Sequence, residues 1–292
     1  MNDSIYHYTN WTGLLGILRS RTLWVSDSQY LNDPQELRYA CGELLKHLES
    51  LKRREPVQTD SEQSRCADFT WIGTLLEKRY PRDGAVNTYL EDSPFVASFC
   101  THDDLLSMWR GYASGGGFAI GFDPTILEDS CNATCWPKGE TRYGLTPEET
   151  LDLSDRNFGL HGEIIPVAYG SVEVEPMLNE IEQSQRGDGD ALVSRWLIRV
   201  KDPAYKEERE IRLVVWPTTC MLGAVALRAS GTNLVPYRAV VFPFAAIRSI
   251  TVGPGPYQRR NVWALEQWLR SSGARGEWTH LSIRPSKVPY LG

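Results

Sequence analysis

The stretch "AYKEEREIRLVV", residues 204–215, decides how the rest of the chain is read. Its second half, with Ile211, Leu213, Val214 and Val215, predicts a strand entering a core. Side chains alternate across a strand, so Glu208, Glu210 and Arg212 are expected on one face, opposite Arg209, Ile211 and Leu213. Two carboxylates at that spacing stand roughly 7 Å apart along a strand and repel one another. Two readings stay open at this point. One is a solvated edge with Arg212 as counter-ion. The other is an active-site pair, with one carboxylate binding substrate and the other assisting proton movement.

Upstream, "WTGLLGILRS" places Leu14, Leu15 and Leu18 at helical spacing after a capping residue, Asn10 or Thr12, and "TLWVSD" follows as a short strand. "LNDPQE" reads as a turn. Helices are expected over 34–54 and from about Ser61 to Arg79, joined by the polar link "EPVQTD". The period then changes. "SPFVASFCT" (93–101) reads as a strand, and "DDLLSMWRGYA" (103–113) as a helix capped by Asp103 or Asp104. "SGGGFAIGFD" (114–123) reads as a glycine turn entering a strand. Residues 124–160 read as loop, 162–170 as strand, and 174–200 as a helix interrupted near "RGDGD". "YRAVVFPFAAIRSITVG" carries one or two strands, and "RRNVWALEQWLRSSG" a final helix. Helices concentrated in the first third and strands after it predict an α+β fold. No linker divides the sequence, so residues 1–292 are expected to form a single domain, with 217–292 completing it.

The chain has 292 residues, 23% charged and 41% hydrophobic, which is ordinary for a globular protein able to bury a core. A net charge of −6 disfavours tracking along nucleic acid over long distances. "RSRTLW" and "RYPRDG" are small basic patches. The six cysteines form no CxxC, and Cys131 and Cys135 have no second pair or nearby histidine, so no metal is expected. The chain shows no leader-like start and no apolar run of roughly 18 residues, and a cytoplasmic protein with no membrane partner is expected.

The order "IYHYT", "LRSRTLW", "LNDPQE", "VASFCT…LLSMWRGYASGGGFAIGF" and "YKEEREIR" resembles the bacterial proteins grouped as domain of unknown function 2971. The resemblance spans residues 5 to about 216, with Tyr205 where that pattern has Trp. That family is in turn similar to ADP-ribosyltransferases, among them toxins that modify nucleic acids. The resemblance implies an ADP-ribosyltransferase-like fold: two split, bent β-sheets forming a cleft for NAD, which is consumed as substrate. It implies a toxin or phage-defence effector that modifies nucleic acid or protein, with an antitoxin or defence-system partner.

The same resemblance assigns roles. His7, Ser98 and Glu210 line the cleft, and Glu210 stabilises the oxocarbenium-like charge that develops as nicotinamide leaves. Glu208 orients or deprotonates the acceptor. His7 and Thr9, with Tyr8 beside them, hold the adenosine ribose or the nicotinamide end. Ser98 buttresses Glu210, and Trp109 or Tyr112 stacks on nicotinamide. Arg212 pairs with a carboxylate or reaches a phosphate, as does Arg110. Two alternatives stand beside this reading: a non-catalytic nucleotide-binding sensor or interaction module, and a hydrolase using the Glu208/Glu210 pair.

Overall fold

The computed structural model describes residues 4–31, 36–53, 69–79, 93–113, 116–137, 140–170, 174–183, 189–217, 225–271 and 281–289. The Asn32-Asp33-Pro34 turn, the "EPVQTD" link, Ser114 and Gly115 of the glycine turn, and "RYPRDG" beyond Arg79 lie outside them. The described elements are β1 (Ile5–Thr9), α1 (Trp11–Ser20), β2 (Thr22–Asp27), α2 (Glu36–Arg53), α3 (Thr70–Arg79) and β3 (Phe95–Cys100). They continue with α4 (Leu106–Tyr112), β4 (Phe118–Phe122), α5 (Pro124–Cys131), α6 (Pro147–Arg156), β5 (Leu160–Pro166), β6 (Ala168–Tyr169), α7 (Val174–Gln183) and α8 (Gly189–Arg199). The rest are β7 (Val200–Lys201), β8 (Glu210–Pro217), β9 (Ala226–Ser230), β10 (Asn233–Val241), β11 (Ile247–Val252), α9 (Gln258–Ser271) and β12 (Ser282–Pro285).

The fold is α+β. The helices expected at 103–113, 174–200 and the C-terminal end occur as α4, α7 with α8, and α9, and α5 and α6 are additional. These last two fill the stretch expected as loop, 124–160. Asp123 accepts from the Thr125 and Ile126 amides at the start of α5, and Pro124 occupies its first turn. Thr146 and Glu149 form a capping box on α6, again with Pro in the first turn. A capping side chain followed by proline starts a helix, because the missing N–H is one that the first turn cannot use. Those "DP" and "TP-E" signals were present in the sequence. Asp103 and Asp104, expected to cap α4, do not. Its N-cap is Leu105, without a side-chain bond. Asp103 instead accepts from Thr251 and Arg284, and Asp104 from Trp109, Ser286 and the Lys287 amide.

The chain divides into two compact units, Met1–Asp27 with Pro94–Ile165 and Glu207–Gly292, and Ser28–Ser93 with Pro166–Lys206. The second unit packs α2, α3, α7 and α8 around Leu44, Ile72, Leu76, Leu178, Val193 and Leu197, all nearly fully buried. Its short strands β6 and β7 pair in parallel.

The first unit is built on a mostly antiparallel ten-stranded sheet, with β11 and β12 parallel. One path runs β12-β11-β4-β1-β3-β2-β10-β9, and β8 pairs with both β3 and β5. β3 is the branch point. β8 pairs along its whole length, from Phe95↔Val215 to Cys100↔Glu210. Its other edge is shared: β1 meets it at Tyr6↔Cys100, and β2 at Ser26↔Val96 and Asp27↔Phe95. A strand has only two edges, so β1 and β2 diverge from β3 and the sheet splits between them.

Opposed residues in antiparallel strands point to the same face. One face carries Ile5, Leu23, Val25, Phe95, Ala97, Phe99, Leu213, Val215 and Val240, which form the main core. The other carries Tyr6, Trp24, Ser26, Ser98, Cys100, Glu210, Arg212 and Tyr237. At Gly121 on β4 a Cβ would approach the Ser249 hydroxyl to 2.4 Å and Tyr6 to 2.9 Å, so only glycine lets β1 and β11 flank this strand so closely.

Candidate functional site

β3 and β8 set Ser98 opposite Arg212 and Cys100 opposite Glu210, all facing away from the main core. Ser98 is exposed there, on the edge strand of the split. Glu210 and Arg212 are buried against each other. The Arg212 guanidinium donates to both carboxylate oxygens, Nε to Oε1 at 2.8 Å and Nη2 to Oε2 at 3.1 Å. The fork geometry of guanidinium matches a carboxylate bidentately, and ionised partners make the stronger bonds. Burial pushes the Arg212 pKa down to about 9, which still leaves a cation at neutral pH. Arg212 thus takes the first of its two expected roles, pairing with a carboxylate.

Glu208 does not share that face. β8 begins at Glu210, and Glu208 ends a 3₁₀ segment, Pro203–Glu208. Between them Arg209 adopts a left-handed conformation with φ 47°. A side chain is costly there, and non-glycine residues held in that region cluster at functional sites. The kink breaks the alternation that the sequence predicts. It also removes the strand spacing on which an acid/base pair of Glu208 and Glu210 would rest. Glu208 is half-buried and accepts a hydrogen bond from the Tyr112 hydroxyl at 3.2 Å. The exposed Arg209 sets Nη1 against the His102 ring, 2.7 Å from Nε2 and 3.4 Å from Nδ1, and His102 Nδ1 lies 2.8 Å from the Thr101 hydroxyl. The kink is held on its main chain too, where the Thr101 amide donates to the Arg209 carbonyl at 3.1 Å.

His7 lies on the core face of β1 by register, opposite to Ser98 and Glu210. Its ring packs edge-on to Phe99, with centroids 5.7 Å apart, and Nδ1 bonds the Ser98 carbonyl oxygen at 3.1 Å, across the split. Main chain, not a shared cleft wall, joins these two residues. Counting strand spacings from Glu210 through Cys100 to Tyr6 places the His7 and Glu210 backbones roughly 10 Å apart. Burial pushes the His7 pKa below its ordinary value. A depressed histidine contributes stability that is complete above the unfolded pKa of about 6.5 and lost as pH falls through the folded value. His7→Asn keeps a donor for the Ser98 carbonyl but cannot titrate. The fall in thermal midpoint between pH 7.5 and 5.5 is therefore expected to be smaller in His7→Asn than in the wild type. Equal falls would remove His7 as a cause.

The other expected residues divide. Tyr8 is buried, donates to the His102 carbonyl at 2.9 Å and accepts from the Leu105 amide at 3.1 Å. Trp109 is also buried, edge-on to Tyr8 with centroids 4.7 Å apart, and its indole N–H donates to Asp104 at 2.7 Å. A Cβ on Gly253 would meet the Trp109 ring at 2.8 Å, so that ring is walled in rather than open to stack on nicotinamide. Thr9 is half-buried beside Gly13, where a Cβ would strike its hydroxyl. Arg110 and Tyr112 are exposed on α4. The structure thus gathers Ser98, Glu210 and Arg212 on one face and adds Tyr112 and Glu208 at the head of β8.

Residues 108–213 match the family model described as protein of unknown function (DUF2971). The DUF2971 match takes in most of α4 with Trp109, Arg110 and Tyr112, passes Glu208, and ends within β8 after Glu210 and Arg212. It leaves His7, Tyr8, Thr9 and Ser98 outside. No curated protein and no solved structure matches the chain. Among the described residues, no helix is long and apolar enough to cross a membrane, and no group of three or more His, Cys, Asp or Glu residues could hold a metal ion.

Proposed function

We propose that the chain cleaves NAD and transfers ADP-ribose to a macromolecular acceptor, as a bacterial toxin or defence effector. The observation that carries this reading is the row Ser98–Arg212–Glu210 on one face of the paired strands β3 and β8, beside the split in the sheet, with Glu208 two residues before Glu210 and bonded by Tyr112. Breaking the bond between nicotinamide and ribose sends the electron pair to the departing nicotinamide and leaves positive charge on the ribose. A fixed carboxylate beside that charge lowers the barrier. Glu210 is enclosed with Arg212, so the carboxylate that touches the ribose is Glu208, steadied by the Tyr112 hydroxyl. Glu210 and Arg212 act through it by fixing the start of β8. The acceptor then attacks the ribose carbon and gives up its proton to solvent or Glu208. Arg110 is the exposed guanidinium on α4 for the pyrophosphate.

A second reading draws on one specific observation. The burial of Glu210 against Arg212 also suits a module that binds a nucleotide without cleaving it. Adenylate-labelled NAD, incubated with the purified chain and a bacterial lysate, separates the two. The transferase reading expects label in the protein or nucleic-acid fraction. Label remaining wholly in intact NAD overturns it.

A further inference from the structure

The half of the sheet formed by β2, β10 and β9 buries Leu23, Val25 and Val240 on its core face. An antiparallel sheet with one solvated face normally lines that face with polar residues. Here it presents Trp24, exposed by 50%, stacked on Tyr237 with ring centroids 4.4 Å apart and 31° between planes. The rings sit on neighbouring strands, since Tyr237 pairs with Ser26 and Ala239 with Trp24. A cross-strand aromatic pair stabilises a sheet locally. That local role leaves half of the Trp24 surface in water, beside a second ring.

Arg228 of β9 opposes Val235 of β10, on the same face, and donates to the Ser26 hydroxyl at 3.0 Å. On this face Val235 and Ser26 are buried and Val241 packs with Ala133 and Leu153, so its accessible part is the patch around Trp24, Tyr237 and Arg228. Among the described residues of this patch the one charge is the Arg228 cation, in a chain whose net charge is −6. The face is continuous with the candidate site. Ser26 pairs with Val96 of β3, and Trp24, two residues back along β2, is level with Ser98 across the split.

We infer that this face is a stacking platform for single-stranded nucleic acid, with an unpaired base on the Trp24 and Tyr237 rings and Arg228 toward the phosphates. Stacking on aromatic side chains with a nearby cation holds single strands without needing a particular sequence. Paired bases keep their faces covered by their neighbours, so a duplex cannot use the platform. Where the proposed transfer reaction holds, the platform also presents the acceptor, and the inference rests on that reading for this point alone.

The test is fluorescence anisotropy of a labelled 20-nucleotide single-stranded DNA and its RNA counterpart, without NAD, beside the same sequence as a duplex. The full chain is expected to bind at least one single strand and to bind the duplex more weakly. Trp24→Ala and Tyr237→Ala are each expected to weaken single-strand binding about tenfold, with Trp24→Phe close to wild type. Arg228→Gln is expected to flatten the salt dependence. Thermal midpoints check that the variants are folded. Three results overturn the inference: no single-strand binding by the wild type, Ala variants that bind as wild type does, or a Trp24→Ala change in sedimentation showing that the face joins two copies. Nicotinamide release is read separately. Binding without release overturns the transferase reading and leaves the platform standing, and release without binding does the reverse.

Discussion

Replacing Glu210 with Ala is expected to lower the thermal midpoint by roughly 6–20 °C. Stripping one partner from a buried ion pair costs about 3–5 kcal/mol, because the remaining charge is left uncompensated. A domain of this size loses roughly 2–4 °C per kcal/mol. Arg212 is 1% exposed and Glu210 6%, so the pair lies away from bulk water. The apolar face of β8, with Leu213 and Val215 in the core, does not shield the variant from this loss. Glu210→Leu combined with Arg212→Met should recover most of the midpoint, since apolar residues of similar volume often substitute for a buried pair without cost. Thermal melts of the two variants beside the wild type check this. If Glu210→Ala melts as wild type does, the pair is dispensable and Glu210 is free for chemistry.

Glu208→Gln is expected to do the opposite: little change in midpoint, and a loss of nicotinamide release of roughly 10²–10³-fold. Removing one preorganised stabilising group from a transition state typically costs about that much. The side chain is half-buried outside β8, so its amide analogue disturbs no core packing. Tyr112→Phe removes the hydroxyl that steadies Glu208 and should cause a smaller loss, readable as lower kcat with KM nearly unchanged. If Glu208→Gln releases nicotinamide at the wild-type rate, Glu208 does not touch the reacting ribose.

Much of the sheet was legible in the sequence because its strands carry local signals. "FVASFC" and "IRLVVW" alternate or run apolar, and β3 and β8 occur where that pattern places them. The pairing of these two strands was not legible. It joins residues more than a hundred positions apart, and no local pattern records the partner of a strand. The same holds for the split, which exists because β1 and β2 both claim one edge of β3. The two units are each assembled from separated segments, so no linker composition could mark the boundary.

In the site, alternation correctly put Glu210 and Arg212 together and failed at Glu208. The failure has one cause, the left-handed Arg209, and "KEEREI" contains no glycine to announce such a turn. His102 and Tyr112 fix the head of β8 through contacts that are remote in sequence, 107 and 96 residues away. Trp109 illustrates the reverse error. The resemblance offers its ring to nicotinamide, but the ring is closed off by Gly253, a residue 144 positions away that no local pattern connects to it. α5 and α6 could have been read from their capping residues and prolines, and only their weakly apolar faces disguised them as loop.

The measurement that tests the central claim most directly is nicotinamide release from NAD by the purified wild-type chain, run beside Glu208→Gln of equal thermal midpoint. The predicted result is release by the wild type, reduced on the order of 10²–10³-fold in the variant. No release by the wild type with each of the protein, DNA and RNA fractions of a bacterial lysate supplied as acceptor, or equal release by both proteins, would contradict it.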